Sequence, residues 1–252
     1  MFGWICSVPV APMRKEAAHR SEMVSQLLFG ERVQLIESSG DFVLVKNEYD
    51  AYIGWCQRSQ LTELTAFAKS IEPEILTSDY INVGMLRDTA IHLPMGVPLS
   101  NWKGITDPLF TYSGLAHTAG SVPFFDSEIV AISTSYLNVP YLWGGKSVFG
   151  IDCSGFSQQI FRYFGKKLPR DSGDQAKQGE DVGFLDETKA GDLAFFDNAE
   201  GTITHVGILL NNHEIIHASG KVRIDTIDQW GIINRDTERR THTLRIIKRY
   251  PG

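Results

Sequence analysis

The apolar spacing between residues 153 and 165 limits the possible folds of this chain more than any other feature. Phe156, Ile160 and Phe164 recur at i, i+4 and i+8, Phe161 stands beside them, and Gly165 follows as a C-cap. This spacing predicts an amphipathic helix beginning near Cys153, entered through the Gly-rich loop WGGKSVFGID. An earlier helix, capped by Asp126 or Ser127, would bury Ile129, Ile132, Tyr136 and Leu137. Beyond the second helix the chain turns to strand-like runs at residues 192–196, 203–210, 214–217 and 244–250. Helices followed by a run of strands argue for an α+β domain with an antiparallel sheet.

The first 119 residues follow a different pattern. VSQLLFGERVQLIES, FVLVKNEY and YIGWCQ are short runs rich in Val, Ile, Leu and aromatics, separated by turn residues. That arrangement predicts a small β-barrel over residues 1–65. Residues 63–70 read as a short helical linker. YINVGML, HLPMGVPL and PLFTYSG repeat the theme more loosely, giving a second β module over 66–119 and a larger domain over 120–252.

Composition removes several classes of function. Hydrophobic residues make up 42% and charged residues 21%, ordinary values for a chain with a real core. The formal charge of -6 disfavours binding to nucleic acid, whose affinity comes from Lys and Arg neutralising phosphates. No segment approaches the roughly 20 apolar residues of a membrane helix, so no membrane partner is expected. The opening lacks a basic region ahead of an apolar stretch, which predicts a cytoplasmic protein with reduced thiols; a secreted or periplasmic protein whose leader was removed is the alternative. The expected state is a monomer. Three cysteines, Cys6, Cys56 and Cys153, cannot all pair within the chain.

Of these, Cys153 stands at the first turn of the predicted helix. Partial positive charge there favours thiolate over thiol, lowering a reference pKa of about 8.5. His205 lies in the strand-like GTITHVGILL and His217 in HEIIHAS. Paired through a turn at Asn211-Asn212, these strands would bring both imidazoles to one face. Nucleophile, base and orienting polar group would then stand in triad order. Packing for Cys153, hydrogen-bonded structural roles for the histidines, and a zinc site remain open alternatives; no metal or other cofactor is expected. Cys6 and Cys56 are assigned to packing.

The segments YLWGGKSVFGIDCSGFSQQIFRYFG, AGDLAFF, TITHVGILL and IIHASG resemble, in order, the motifs of the NlpC/P60 cysteine peptidase family. The resemblance implies a papain-like domain with Cys153 as nucleophile, His205 as general base and His217 as the third polar member. It implies hydrolysis within bacterial cell-wall peptides. The front end resembles a subgroup, the γ-D-glutamyl-L-diamino acid endopeptidases, in which bacterial SH3-like (SH3b) modules wall the cleft. By that resemblance the substrate is a peptidoglycan-derived stem peptide with a free N-terminal L-Ala, held by Glu16, Tyr52 and Asp152. Ser154 and Ser172 are implied substrate contacts, and Arg170 is a candidate partner for a substrate carboxylate. An N-cap for Asp152, barrel packing for Tyr52 and a solvated charge for Glu16 are the competing roles. A wall-binding protein without hydrolysis and a papain-like amidase or acyltransferase are the competing functions.

Overall fold

The structure, a computed structural model, describes residues 3–64, 72–103, 105, 109–124 and 126–250. The first module contains β1 (Gly3–Cys6), β2 (Val10–Arg14), β3 (Met23–Leu28), β4 (Arg32–Ser39), β5 (Phe42–Asn47), β6 (Ile53–Gln57) and β7 (Leu61–Leu64). Its sheet order is β3-β2-β6-β5-β4-β1-β7, every neighbour antiparallel. Cys6 and Cys56 are free and buried in its core with Met13, Leu27, Val33, Val43 and Val45. The expected helical linker begins two residues too early, because Glu63 and Leu64 still belong to β7; residues 65–70 lie outside the described residues.

The second module is β8 (Ile75–Thr77), β9 (Ile81–Leu86), β10 (Thr89–Pro94), β11 (Phe110–Tyr112) and β12 (Ala116–Thr118). Among the described residues these form a three-stranded sheet, β10-β9-β11, and a two-stranded ladder, β12-β8. Among the described residues the second module has no barrel core separate from that of the first. Its apolar residues Leu93, Val97 and Trp102 pack with Ile5, Leu28 and Phe29 of the first module. The Trp102 and Phe29 rings stack at 4.6 Å between centroids.

The remaining domain opens with α1 (Asp126–Thr134), followed by the short ladder of β13 (Lys146–Ser147) and β14 (Gly150–Ile151). It continues through α2 (Cys153–Tyr163), α3 (Ser172–Gln175) and β15 (Glu180–Asp181), then β16 (Leu193–Asp197), β17 (Ile203–Leu209), β18 (Glu214–Ser219), β19 (Lys221–Asp228), β20 (Gly231–Ile233) and β21 (Arg240–Arg249). The sheet runs β15-β21-β16-β17-β18-β19-β20, and β20 also pairs with β21, closing six strands into a ring. Strand alternation divides the core. Phe195, Val206, Ile208 and Ile216 face α2, whereas Phe196, Leu209, Ile215 and Ile227 fill the ring. Helix α1 stops at Thr134, ahead of Asn138 at φ 67°, so Leu137 is exposed while Tyr136 remains buried.

Helix α2 sits where the periodicity places it. It ends in a Schellman turn: Gly165 adopts φ 70°, its N–H donates to the Arg162 carbonyl, and the Lys166 N–H donates to Phe161. The unforeseen feature is Arg162, which is 1% exposed in the last turn of α2. Its Nη1 donates to Glu31 of the first module at 2.6 Å, and its Nε and Nη2 grip Glu74 of the second at 2.8 and 2.7 Å. Burial pushes the Glu31 carboxyl up, but Lys146 and Arg162 outweigh it and hold it below the ordinary carboxylate range. Arg162→Met would leave two buried carboxylates without their shared partner. Urea melting should show a loss of about 3–5 kcal/mol; a loss under about 1 kcal/mol, the scale of an exposed pair, would show that the cluster does not tie the modules together.

Candidate active site

Cys153 opens α2, and Asp152 caps it. Asp152 Oδ1 accepts the Gly155 N–H at 2.7 Å, a contact typically contributing about 1 kcal/mol. The same carboxylate accepts the Gly144 N–H at 2.9 Å and a two-pronged grip from Arg170 at 2.6 and 3.0 Å. Burial, then the Asp152 charge, push the Cys153 thiol from its ordinary 9.0 up to about 12, against the Val206 N–H, the Arg170 guanidinium and the Ser154 N–H. This burial, which the local motif does not show, opposes the thiolate expected from the helix terminus. Tyr141, which the sequence did not single out, lies close enough that Cys153 adds to the burial raising its hydroxyl to about 12.

The Val206 N–H that reaches Cys153 belongs to the residue after His205. His205 on β17, His217 on β18 and Asp225 on β19 occupy ring-facing positions, in phase with Leu209, Ile215 and Ile227. In the β17–β18 register, Ile208 faces Ile216 and Leu209 faces Ile215, which puts Gly207 opposite His217. A Cβ on Gly207 would lie 2.9 Å from His217 Cβ and 2.6 Å from Ile215 Cδ1. Without one, the imidazoles meet along the diagonal, His205 Nε2 to His217 Nδ1, at 2.8 Å. His217 Nε2 continues to Asp225 Oδ2 at 3.0 Å, and Arg223 holds both Asp225 oxygens at 2.8 Å.

Burial, with His217 and His242 adding to it, keeps the His205 imidazole well below its ordinary 6.5. His205 is thus neutral at neutral pH and able to accept a proton. His242 of β21 stacks on it at 4.1 Å between centroids and 25° between planes. Nitrogens of His205, His217 and His242 come within 4.8 Å of one another. Neither Asp225 nor His242 was singled out from sequence. The Arg223–Asp225 pair, two residues apart in a strand-like run, was the available signal.

Cys153 opens onto a cleft of about 1090 Å³. The first module supplies Lys15, Glu22, Val24 and Tyr52 to one wall; Trp143, residues 152–154, 171–174 and 202–204 and Lys177 supply the rest. Strand β3 docks this wall. Gln26 accepts the Lys146 N–H at 2.8 Å, Ser25 accepts from Arg170 Nε at 3.0 Å, and Trp143 Nε1 donates to Glu22 at 2.9 Å. Gly144, at φ 76°, passes so close that a Cβ would sit 2.6 Å from the Met23 carbonyl.

The structure brings Tyr52, Asp152, Ser154 and Ser172 into this cleft with Cys153. Tyr52 is pushed up to about 12 by burial and the Asp171 charge, and bonds the Asp171 carboxylate through its hydroxyl. Glu16 differs from expectation: it heads an exposed turn, its N–H bonded to Ser21 Oγ, and does not line the cleft. Glu22 is the carboxylate that the first module contributes, because β3 follows directly and fixes it beside Trp143. Arg170 also differs. It is 2% exposed, and all five N–H groups are taken by Asp152, Ser154, Ser25 and the Gly145 carbonyl. Its chemistry is the support of Asp152 rather than capture of a substrate carboxylate.

Residues 138–241 match the NlpC/P60 family, and residues 13–61 match the bacterial dipeptidyl-peptidase SH3 domain. The chain is 31% identical over 232 residues to the gamma-D-glutamyl-L-lysine dipeptidyl-peptidase of Bacillus subtilis (strain 168), covering 77% of this chain and 71% of that one. It is 27% identical over 252 residues to dipeptidyl-peptidase 6 of Lysinibacillus sphaericus, covering 87% of this chain and 90% of that one. The crystal structure of an NlpC/P60 family protein from Bacillus cereus ATCC 10987 has a similar fold, with a TM-score of 0.76 and 21% identity over 98% of this chain and 99% of that one.

Burial also lowers His242, from 6.5 to about 4. Below pH 6.5 the unfolded chain therefore binds protons at both positions that the folded chain refuses. Stability is complete above pH 6.5 and declines as the pH falls toward 4. Thermal melting across that window should show a falling Tm, with a shallower fall in His242→Gln. Equal slopes in the two proteins would contradict the burial of a neutral His242.

Proposed function

The chain belongs to the NlpC/P60 peptidase family, and on that premise we propose that it is a cysteine peptidase acting on peptidoglycan stem peptides with a free N-terminal L-Ala. The bond cut is that between D-Glu, through its γ-carboxyl, and the following diamino acid; the product is L-Ala-γ-D-Glu. The observation that carries this reading is Cys153 in a cleft whose far wall is the first module, reached by the N–H of Val206, the residue after His205 in the hydrogen-bonded His205–His217 pair.

Cys153 Sγ attacks the γ-carbonyl carbon as its proton passes to His205, and the carbonyl oxygen becomes an oxyanion. The Cys153 N–H at the head of α2 and the protonated Tyr141 hydroxyl are donors suited to that charge. His205 then gives its proton to the diamino acid nitrogen as the C–N bond breaks, leaving a thioester. Water adds to the thioester carbonyl, passing a proton to His205; the thiolate leaves and recovers that proton. Starting from a protonated thiol and a neutral imidazole, no step requires a standing ion pair.

The other wall accounts for the amine. Burial raises the Asp171 carboxyl; Arg170 opposes this, and the Asp174 and Asp152 charges add to it. Such a concentration of carboxylates favours an ammonium, whose charge relieves their repulsion. Asp152 is buried under Gly144, Gly155 and Arg170, whereas Glu22, bonded to Trp143, and Asp171, bonded to Tyr52 of the first module, are the exposed carboxylates of the cleft. The first module thereby sets the distance from the amine to Cys153. Cys153→Ala should abolish release of L-Ala-γ-D-Glu from a purified stem tripeptide, as read by mass spectrometry. Release at the wild-type rate would overturn the cysteine mechanism.

A further inference from the structure

We propose that Asp225 is a positioning residue that dictates which nitrogen carries the proton in both His217 and His205, so that the active centre is a chain of four residues, Cys153–His205–His217–Asp225. This rests on the cysteine peptidase reading for its kinetic consequence, while the proton pattern itself is independent of that reading.

Asp225 is 1% exposed, so its partners are those the fold gives it. Oδ2 meets His217 Nε2 at 3.0 Å and Arg223 Nε at 2.8 Å. Oδ1 meets Arg223 Nη2 at 2.8 Å and the Arg235 backbone N–H at 3.0 Å. Three of these four partners can only donate, and the guanidinium balances the buried charge, so the carboxylate is ionised. An ionised carboxylate only accepts. His217 Nε2 must therefore carry a hydrogen, and a neutral imidazole then has a bare Nδ1. That bare nitrogen lies 2.8 Å from His205 Nε2, which must in turn be the donor. His205 is left with a bare Nδ1, the lone pair that accepts the thiol proton. One buried carboxylate thus propagates a single hydrogen-bond direction through two rings. His242, stacked on His205, holds the ring plane without entering this chain.

Asp225→Asn would reverse the direction. Oδ1 has two donor-only partners and Oδ2 has one, Arg223 Nε, so the amide oxygen stays at Oδ1 and the amide N–H groups face His217 Nε2, at the loss of the Arg223 Nε bond. His217 Nε2 becomes an acceptor, its Nδ1–H donates to His205 Nε2, and His205 turns an N–H toward the thiol instead of a lone pair. By comparison with wrong-tautomer variants of hydrolase triads, kcat should fall by about 10²–10⁴-fold while KM moves by less than about three-fold. Retention of kcat within about three-fold would overturn the proposal.

Two-dimensional ¹⁵N–¹H spectra of the histidine rings provide a readout that a merely structural role would not move, and the first of them needs no variant. In the wild-type protein at neutral pH they should show the proton on Nε2 of both His205 and His217; a proton on Nδ1 of either overturns the assignment, whatever the activity. In Asp225→Asn both should switch to Nδ1, and unchanged ring tautomers in a folded variant would also overturn it. Correct tautomers in a protein that cleaves no stem peptide would refute the peptidase reading and leave the positioning role intact.

Discussion

The guanidinium of Arg162 is the contact on which the arrangement of the molecule depends. It lies in the last turn of the helix whose first residue is Cys153, and it binds Glu31 from the first module and Glu74 from the second. Lys146, from β13 ahead of that helix, adds a second cation to Glu31 at 3.3 Å. Buried ions are costly to desolvate and are tolerated only where partners and hydrogen bonds are complete. Separating the modules would expose those charges singly, so the cluster favours one relative placement over all others.

A second ionic cluster does the same at the other end of α2. Asp152, Arg170 and Ser25 join the helix cap to β3 of the first module, and Gly144 allows the backbones to touch. The helix is thus fixed to the first module at both ends. Cys153, positioned by the cap, and Tyr52 and Glu22, positioned by the module, then face one another across a cleft of set width. The histidine side is built differently. Its precision comes from strand register and from the absence of a side chain at Gly207, which lets His217 reach His205.

What could be read from the sequence follows from the range of the interactions involved. Helix α2, its Gly165 terminus and the first module's strands depend on neighbouring residues, and their periodicity is visible. Cys153, His205 and His217 stand in motifs that keep their local context, so they too were legible. The burial of Cys153, which pushes its thiol up, was not, because it arises from packing distant in sequence. Glu16 came from the resemblance alone, and the place of Glu22 in the cleft depends on a β2–β3 turn whose end MRKEAAHRSE does not mark. Arg170 looked like a free cation, since its partners Asp152 and Ser25 are remote in the chain. Asp225 required the β18–β19 register, and Arg162 required three parts of the chain to meet. The second module's pattern of short strands was present, but its core is shared with the first.

The central claim is that the first module, fixed to α2, makes the cleft a ruler measured from the substrate's amine. Mass spectrometry of products from stem peptides of three, four and five residues, each with a free or an acetylated N-terminus, tests it most directly. The account predicts the same N-terminal dipeptide from all three free-amine peptides and a loss of cleavage of at least about ten-fold on acetylation, the scale of one lost charged contact. Equal cleavage of acetylated peptides, or an N-terminal fragment whose length varies with the substrate, would contradict it.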